Sequence, residues 1–279
     1  MLREIDVQHI RQAVGELIAE SACNLPADYL AAMRQARETE ASELGGEIIT
    51  LLLDNAAYAA GEQIPTCQDT GMALVFLEIG QDVHLYGGAL HAAITQGVVE
   101  GYASLRKSVV SDPLLRQNSG DNTPAITHID IVPGAQVRVT VMMKGFGAEM
   151  MSQLKMMPPS AGEAGVKRFV VQVVEQAGPN ACPPLIVGVG IGGSFDTVGA
   201  LAKKALLRPL GQPNPQPHLA AMEEELLTTI NRLGIGPQGL GGSTTALAVH
   251  VEAYATHIAA LPVAVNLNCS APRRAVKVI

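Results

Sequence analysis

Apolar residues first recur along this chain at helical spacing. Val7, Ile10, Val14 and Leu17 fall on one helical face, and the run from Ala41 to Ala60 carries a long apolar face without proline, so the opening third is predicted to be helical. Pro65 ends that pattern and sets Cys67-Gln68-Asp69-Thr70-Gly71 in a tight turn, from which Met72 to Ile79 leaves as a buried strand. A helix from Leu90 to Lys107 follows, then a polar loop holding Asn118-Ser119-Gly120-Asp121-Asn122-Thr123-Pro124. His128 to Val132 and Gln136 to Met143 alternate around Pro133-Gly134, the pattern of a hairpin, and deliver Lys144-Gly145-Phe146-Gly147 at its end.

The second half predicts a helix from Gly162 to Gln176 and then Cys182-Pro183-Pro184. An apolar strand from Leu185 to Val189, a turn at Gly190-Ile191-Gly192-Gly193-Ser194 and a helix from Phe195 to Leu207 come next. Gly211 to Pro217 is the most linker-like stretch, but it is short and reads as a loop within one folded unit, so residues 1–279 are expected to form a single domain. A helix from Leu219 to Leu233, a glycine-rich turn and strands at Thr244 to Val251 and Leu261 to Leu267 lead to Cys269. No internal repeat stands out. Together these elements predict an α/β fold, a mixed sheet with several helices behind a helical N-terminal third.

With 279 residues, 48% of them apolar, the chain is long enough for a real core. A net charge of −7 without a regional block of one sign argues against nucleic acid or a polybasic membrane patch, and a small anionic substrate needs locally placed cations. The absence of tryptophan leaves no basis for base-stacking platforms. Met1-Leu2-Arg3-Glu4-Ile5-Asp6 carries charges where a secretory signal places its apolar run, and no segment approaches a membrane span uninterrupted, so the expected location is cytoplasmic. There, four scattered cysteines are each a buried filler, a reactive thiol or a metal ligand rather than a disulfide framework.

Cys23 lies in a helical run and reads as filler. Cys67, Cys182 and Cys269 each stand beside proline, in a turn or at a strand end, where a thiolate can face a shared site. Three thiolates from distant segments suit a 4Fe-4S cluster with one open iron, although their spacing matches no compact zinc or ferredoxin pattern and establishes no cluster. Asp69 is either an acid or base beside such a centre or an Asx-turn residue bonding its own backbone. Arg106, Arg116, Arg273 and Arg274 are candidate carboxylate clamps, and spacing does not choose among them. His257 is either a satisfied core histidine or an active group. The glycine run from Gly188 to Gly193 misses the spacing of a dinucleotide loop, so close backbone packing is the better reading.

Cys67-Gln68-Asp69-Thr70-Gly71, Lys144-Gly145-Phe146-Gly147, Cys182-Pro183-Pro184, Gly190-Ile191-Gly192-Gly193, Gly239-Leu240-Gly241-Gly242 and the segment from His257 to Arg274 resemble, in register, the class I iron-sulfur fumarases and the related tartrate dehydratases. The resemblance implies the fold of the N-terminal domain of those fumarases and a 4Fe-4S cluster held by Cys67, Cys182 and Cys269. It implies that Gln68 and Asp69 face substrate, Arg106 pairs with a carboxylate, Gly145 or Gly147 offers backbone contacts, and His257 lies near the active site. Phe146, where a glycine is frequent, and Lys107, where some members have an aromatic, are departures that bear on the local shape of the pocket. Single-chain members continue into a second domain. The resemblance therefore implies the alpha subunit of a two-subunit hydro-lyase, completed by a beta subunit as alpha2beta2, with a small dicarboxylate as substrate. Hydration of fumarate to (S)-malate is the first expectation, because Lys144 to Gly147 and Leu154 to Pro159 look closer to two-subunit fumarases, and L-tartrate dehydration is the alternative. A non-catalytic iron-sulfur partner-binding subunit is the reading from another class. A nucleotide-dependent oxidoreductase is the weakest.

Overall fold

The computed structural model describes residues 2–279. The chain opens with a short strand, β1 (Arg3–Asp6), and three helices, α1 (Val7–Cys23), α2 (Ala27–Thr39) and α3 (Glu43–Glu62). Next come β2 (Met72–Gly80), β3 (Val83–Tyr86), α4 (Leu90–Gly101), β4 (Val110–Asp112), β5 (Gln117–Asn118), β6 (Ile126–Val132) and β7 (Val137–Lys144). A one-turn helix, α5 (Phe146–Glu149), leads to β8 (Gln153–Met157), α6 (Gly162–Ala177), β9 (Leu185–Gly193), α7 (Phe195–Ala205) and α8 (Pro217–Asn231). Strands β10 (Ala246–Thr256), β11 (Leu261–Asn268) and β12 (Arg273–Val278) follow. The mixed α/β class and the helical N-terminal third are as expected.

Two compact units divide the chain. The first holds the residues up to Pro26, Ala56–Phe146 and Pro272–Ile279; the second holds Ala27–Asn55 and Gly147–Ala271.

In the first unit a four-stranded sheet runs in the order β12-β7-β2-β6. Ala73, Val75, Leu77 and Ile79 alternate onto one face of β2 and bury against Ile10, Val14, Leu17 and Ile18 of α1 and Ile94 and Val98 of α4. Helix α1 starts where the Asp6 side chain accepts from the Gln8 N–H at 2.9 Å, satisfying a donor that the first turn leaves free. The hairpin expected at Pro133-Gly134 does not form. β6 lies parallel to β2 on one side and β7 antiparallel on the other, so the connection crosses over the end of β2. Gly80 permits that crossing, because a Cβ there would run into the Gly134 carbonyl oxygen. Helix α4 also stops earlier than expected, at Gly101. Lys107 folds back and its Nζ donates to the carbonyls of Tyr102, Ala103 and Leu105 at 2.5, 2.9 and 2.6 Å, tying the chain beyond the helix into a turn.

The second unit has the sheet order β10-β9-β11-β8. One face packs on α6 and α8, where Phe169, Val170 and Val173 meet Leu226 and Ile230 over Leu185, Val187 and Val189. Helix α7 covers part of the other face, with Val198 and Ala202 against Ala264. The run expected as a turn from Gly190 is instead the continuation of β9 to Gly193. Its glycines serve packing, since a Cβ at Gly188 or Gly190 would strike the α7 backbone at Ala202 or Val198. The linker-like stretch belongs to this unit. Asn214 is buried, its Nδ2 donates to the Val251 carbonyl at 2.7 Å, and its N–H donates to Glu223 Oε2 at 3.0 Å.

The two sheets share one plan that the sequence does not display. In each, a first strand (β2, β9) has a parallel neighbour (β6, β10), then an antiparallel one (β7, β11), and beyond that a fourth strand antiparallel to the third. The fourth strands are exchanged: β8, which follows β7 in the chain, pairs with β11, and β12, which follows β11, pairs with β7.

Candidate functional site

The shared plan places the sequence motifs at equivalent positions. Cys67 and Cys182 lie in the loops entering the first strands β2 and β9, while Gly145 and Cys269 stand immediately after the third strands β7 and β11. In both units one hydrogen bond ties the entering loop to the second residue beyond the third strand. In the first unit Asp69 Oδ2 accepts from the Phe146 N–H at 2.8 Å; in the second the Cys182 carbonyl accepts from the Ser270 N–H at 2.9 Å.

In the first unit the Cys67 loop is held from both sides. Thr66 donates from its N–H to the Ala22 carbonyl at 2.9 Å, at the C-terminal end of α1. Asp69 forms the Asx turn, its Oδ1 accepting from the Gly71 N–H at 2.9 Å, so both carboxylate oxygens hold main chain. Cys67 is half-buried, with its Sγ 3.4 Å from Gln68 Oε1, and Gln68 is exposed. Arg273, expected among the carboxylate clamps, is instead 1% exposed, and its Nη1 donates to the Asp69 carbonyl at 2.5 Å. Beneath the loop lies a polar network that sequence reasoning missed. Thr70 Oγ1 donates to the Arg106 carbonyl at 2.6 Å, and Asn122 Nδ2 donates to the Gly71 carbonyl at 3.1 Å. Asn122 Oδ1 accepts from the N–H groups of Ser108 and Val109 at 2.6 and 3.0 Å. The Tyr102 hydroxyl reaches the Thr70 carbonyl at 3.1 Å, and burial pushes its pKa up, with Asp69 adding to the rise and Arg273 opposing it.

This network fixes the backbone at Arg106 while the side chain stays exposed. Among the described residues its guanidinium has no ion-pair partner. Arg116 is also exposed, in the β4–β5 turn. Gly145 is buried against Asp69 and Arg273: a Cβ there would sit 3.2 Å from Asp69 Oδ2 and 3.3 Å from Arg273 Nη2. Gly147 is exposed in the second unit.

In the second unit Cys182 is exposed with left-handed backbone (φ 54°), and Cys269 is half-buried at the edge of the core. The Gln238 amide joins their turns, its Nε2 donating to the Pro183 carbonyl at 2.8 Å and to Ser270 Oγ at 3.0 Å. Tyr29 is buried and donates to the Ser270 carbonyl at 2.6 Å; burial, and secondarily the charge of Cys269, raise its pKa. Neither residue stood out in the sequence. The signal for Gln238 was its place in Pro237-Gln238-Gly239, where the polypeptide turns left-handed. His257 is exposed in the β10–β11 connection, with its Nδ1 accepting from the Ala259 N–H at 3.2 Å, and so is not a core histidine.

The donor set suits an iron-sulfur cluster. None of the cysteines is in a disulfide; Cys67, Cys182 and Cys269 retain solvent access in turns, whereas Cys23 is buried and its thiol pKa is raised by that burial. Among the described residues no group of three His, Cys, Asp or Glu side chains converges as a metal site. Among the described residues no helix is long and apolar enough to cross a membrane.

Comparison with known proteins adds a family and a set of relatives. Residues 11–278 match the model of the family described as fumarate hydratase (Fumerase). A protein of Methanocaldococcus jannaschii, named "Putative L(+)-tartrate dehydratase subunit alpha", is 40% identical over 278 residues, covering 96% of each chain. L(+)-tartrate dehydratase subunits alpha of Escherichia coli strains UTI89 and K12 are 36% and 35% identical over 274 residues, covering 96% of this chain and 90% of theirs.

Proposed function

From the premise that the chain belongs to the class I fumarate hydratase family, we propose that it is the alpha subunit of an L(+)-tartrate dehydratase, acting with a beta subunit in the cytoplasm. The observation that carries this reading is the similarity, over 96% of the chain, to proteins named as alpha subunits of that enzyme. It reverses the order of substrates expected from the Lys144 to Gly147 and Leu154 to Pro159 segments. Hydration of fumarate to (S)-malate, with a role in the tricarboxylic acid cycle, is the second reading and is favoured by the family description. The nucleotide-dependent alternative loses its support, because the glycine run lies inside β9.

Cys67, Cys182 and Cys269 are the proposed ligands of a 4Fe-4S cluster. When bound, such a cluster with one iron free of thiolate supplies a Lewis acid for a substrate oxygen. The chain's own residues supply recognition and proton handling. Arg106 presents a planar guanidinium to one substrate carboxylate, held in place through its main chain by Thr70. Gln68 is exposed beside Cys67 and offers an amide to substrate hydroxyl, and Gly145 or Gly147 offers backbone contacts. Asp69 keeps the Cys67 loop folded through two N–H bonds, and its remaining lone pairs handle the proton on the oxygen side. The exposed His257 is a secondary candidate for proton transfer. Dehydration also needs a base at the carbon bearing the departing proton. We assign that base to the beta subunit, in an alpha2beta2 assembly.

The test is anaerobic co-production with a candidate beta subunit, followed by rates on L(+)-tartrate, D(−)-tartrate, (S)-malate and fumarate. The expected result is kcat/KM for L(+)-tartrate at least about tenfold above every other substrate, a difference of ~1.4 kcal/mol in transition-state binding. Preference for malate and fumarate would replace tartrate with the second reading. A cluster-bearing complex without turnover on any of the four would establish the non-catalytic alternative.

A further inference from the structure

We infer that Gln238 is a positioning residue that sets the separation of Cys182 and Cys269, an inference resting on the ligand role proposed above for those two cysteines. Gln238 lies on neither cysteine-bearing segment. Its N–H donates to the Pro183 carbonyl at 2.7 Å, and its amide nitrogen then donates to that same carbonyl at 2.8 Å and to Ser270 Oγ at 3.0 Å. One side chain thus grips the residue after Cys182 and the residue after Cys269. The Ser270 N–H completes the ring by donating to the Cys182 carbonyl at 2.9 Å.

The backbone around Gln238 is arranged to aim that amide. Its φ is 53°, a left-handed conformation that a non-glycine residue adopts only when its surroundings enforce it. Gly239 follows with φ 77°, and a Cβ there would collide with Pro179, which precedes Cys182 by one turn of 3-10 helix. The close approach of Gly239 to Pro179 therefore holds Gln238 over the Cys182 turn. A pair of thiolates binds a rigid cluster well only when the turns that carry them are already spaced for it, so a shared polar strut affects retention of the group more than global folding.

The test uses the full chain carrying Gln238→Gly, a substitution compatible with positive φ that removes the side chain with its amide and keeps the main-chain N–H, alongside Ser270→Ala, which removes one of the amide's two acceptors. In the cluster-free chain, dibromobimane, which bridges two nearby thiols, is used with peptide mapping to quantify the Cys182–Cys269 cross-link. In the anaerobically loaded complex with its partner, the rate of iron loss to a chelator is followed by visible absorption. The expected result for Gln238→Gly is a cross-link yield several-fold lower and iron loss about tenfold faster, with far-UV circular dichroism and the thermal midpoint as in the wild type. Ser270→Ala should shift both readouts in the same direction by a smaller factor. Wild-type cross-linking and wild-type iron loss in folded Gln238→Gly would overturn the proposal. Should Gln238→Gly melt substantially earlier, Ser270→Ala decides, and wild-type values in it overturn the proposal too. If Cys182→Ala retained full iron, the ligand reading would fall, while the cross-linking series would still judge the strut by itself.

Discussion

At Asp69 and Arg273 the structure reassigns side chains whose types suggested substrate chemistry. Asp69 was open to two readings, and the Asx turn is realised: its two oxygens accept from the N–H groups of Gly71 and Phe146. Arg273 is buried and braces the same loop, whereas Arg106 is exposed, which is why the carboxylate-binding role is proposed for Arg106 and not for Arg273. The cysteine turns were legible because proline and turn residues mark them locally. Gln238 and Asn122 were not, because what they do consists of bonds to main chain far away in sequence, and no residue type announces that. Glu40 is a similar case, and it carries a prediction. Burial opposes its charge, but the N–H groups of Ser243 and Ser42 and the contact with Thr244 outweigh that and hold its pKa near about 2, below the ordinary 4.5. A folded-state pKa below the unfolded value means that the ionised form stabilises the fold above 4.5, and that this contribution disappears as pH falls through about 2. Thermal melts of wild type and Glu40→Gln across that range should show a wild-type advantage near neutral pH that shrinks steadily on acidification. A pH-independent gap would remove Glu40 from this role.

At the scale of elements, alternation and helical period located most segments, and their partners were the harder part. Met72 to Ile79, Leu185 to Val189 and Gly162 to Gln176 were all found close to where they lie, because a buried strand or an amphipathic helix writes its own period into the chain. The false hairpin shows the limit. Period-two alternation says that two segments are extended, and a Pro-Gly pair says that the chain turns between them, yet neither says whether a third strand lies between. Here β2 does, and the deciding residue is Gly80, which the hairpin reading had no reason to weigh. The crossing predicts a specific sensitivity. Gly80→Val should destabilise the chain by about 1–3 kcal/mol through overpacking against Gly134, read as a lower urea midpoint with an unchanged m-value. Gly134→Ala is a useful contrast: nothing lies within 4 Å of its Cβ position, so its cost should come from φ 106° alone and leave the crossing intact. Equal stability of Gly80→Val and wild type would mean that the crossing has room the packing does not show.

For the molecule as a whole, the consequential feature is the exchange of fourth strands between two sheets of the same plan. Sequence comparison within the chain gave no repeat, which is understandable physically: a strand plan constrains only which positions are apolar, and many sequences satisfy one pattern. The exchange makes each sheet depend on residues far along the chain. β12 is separated from its partner β7 by the whole of the second unit apart from α2 and part of α3, and β8 joins β11 only after more than a hundred residues have been made. The first sheet therefore cannot be completed by the stretch that supplies its other three strands, and the second cannot be completed without β8, which precedes α6. A fragment cut near Pro158 would carry β2, β6 and β7 without β12, and the remainder would carry β9, β10 and β11 without β8. Each would expose an unpaired strand edge, a feature that favours aggregation over independent folding. Fragments 1–158 and 159–279 should accordingly be poorly soluble when produced alone, and should recover a cooperative melt and protection of β7 and β11 amides from hydrogen exchange when co-produced. Wild-type protection of the β7 amides in the isolated first fragment would show that the exchanged strand is dispensable. Protection restored only on co-production would establish that each sheet needs the strand that the other fragment carries.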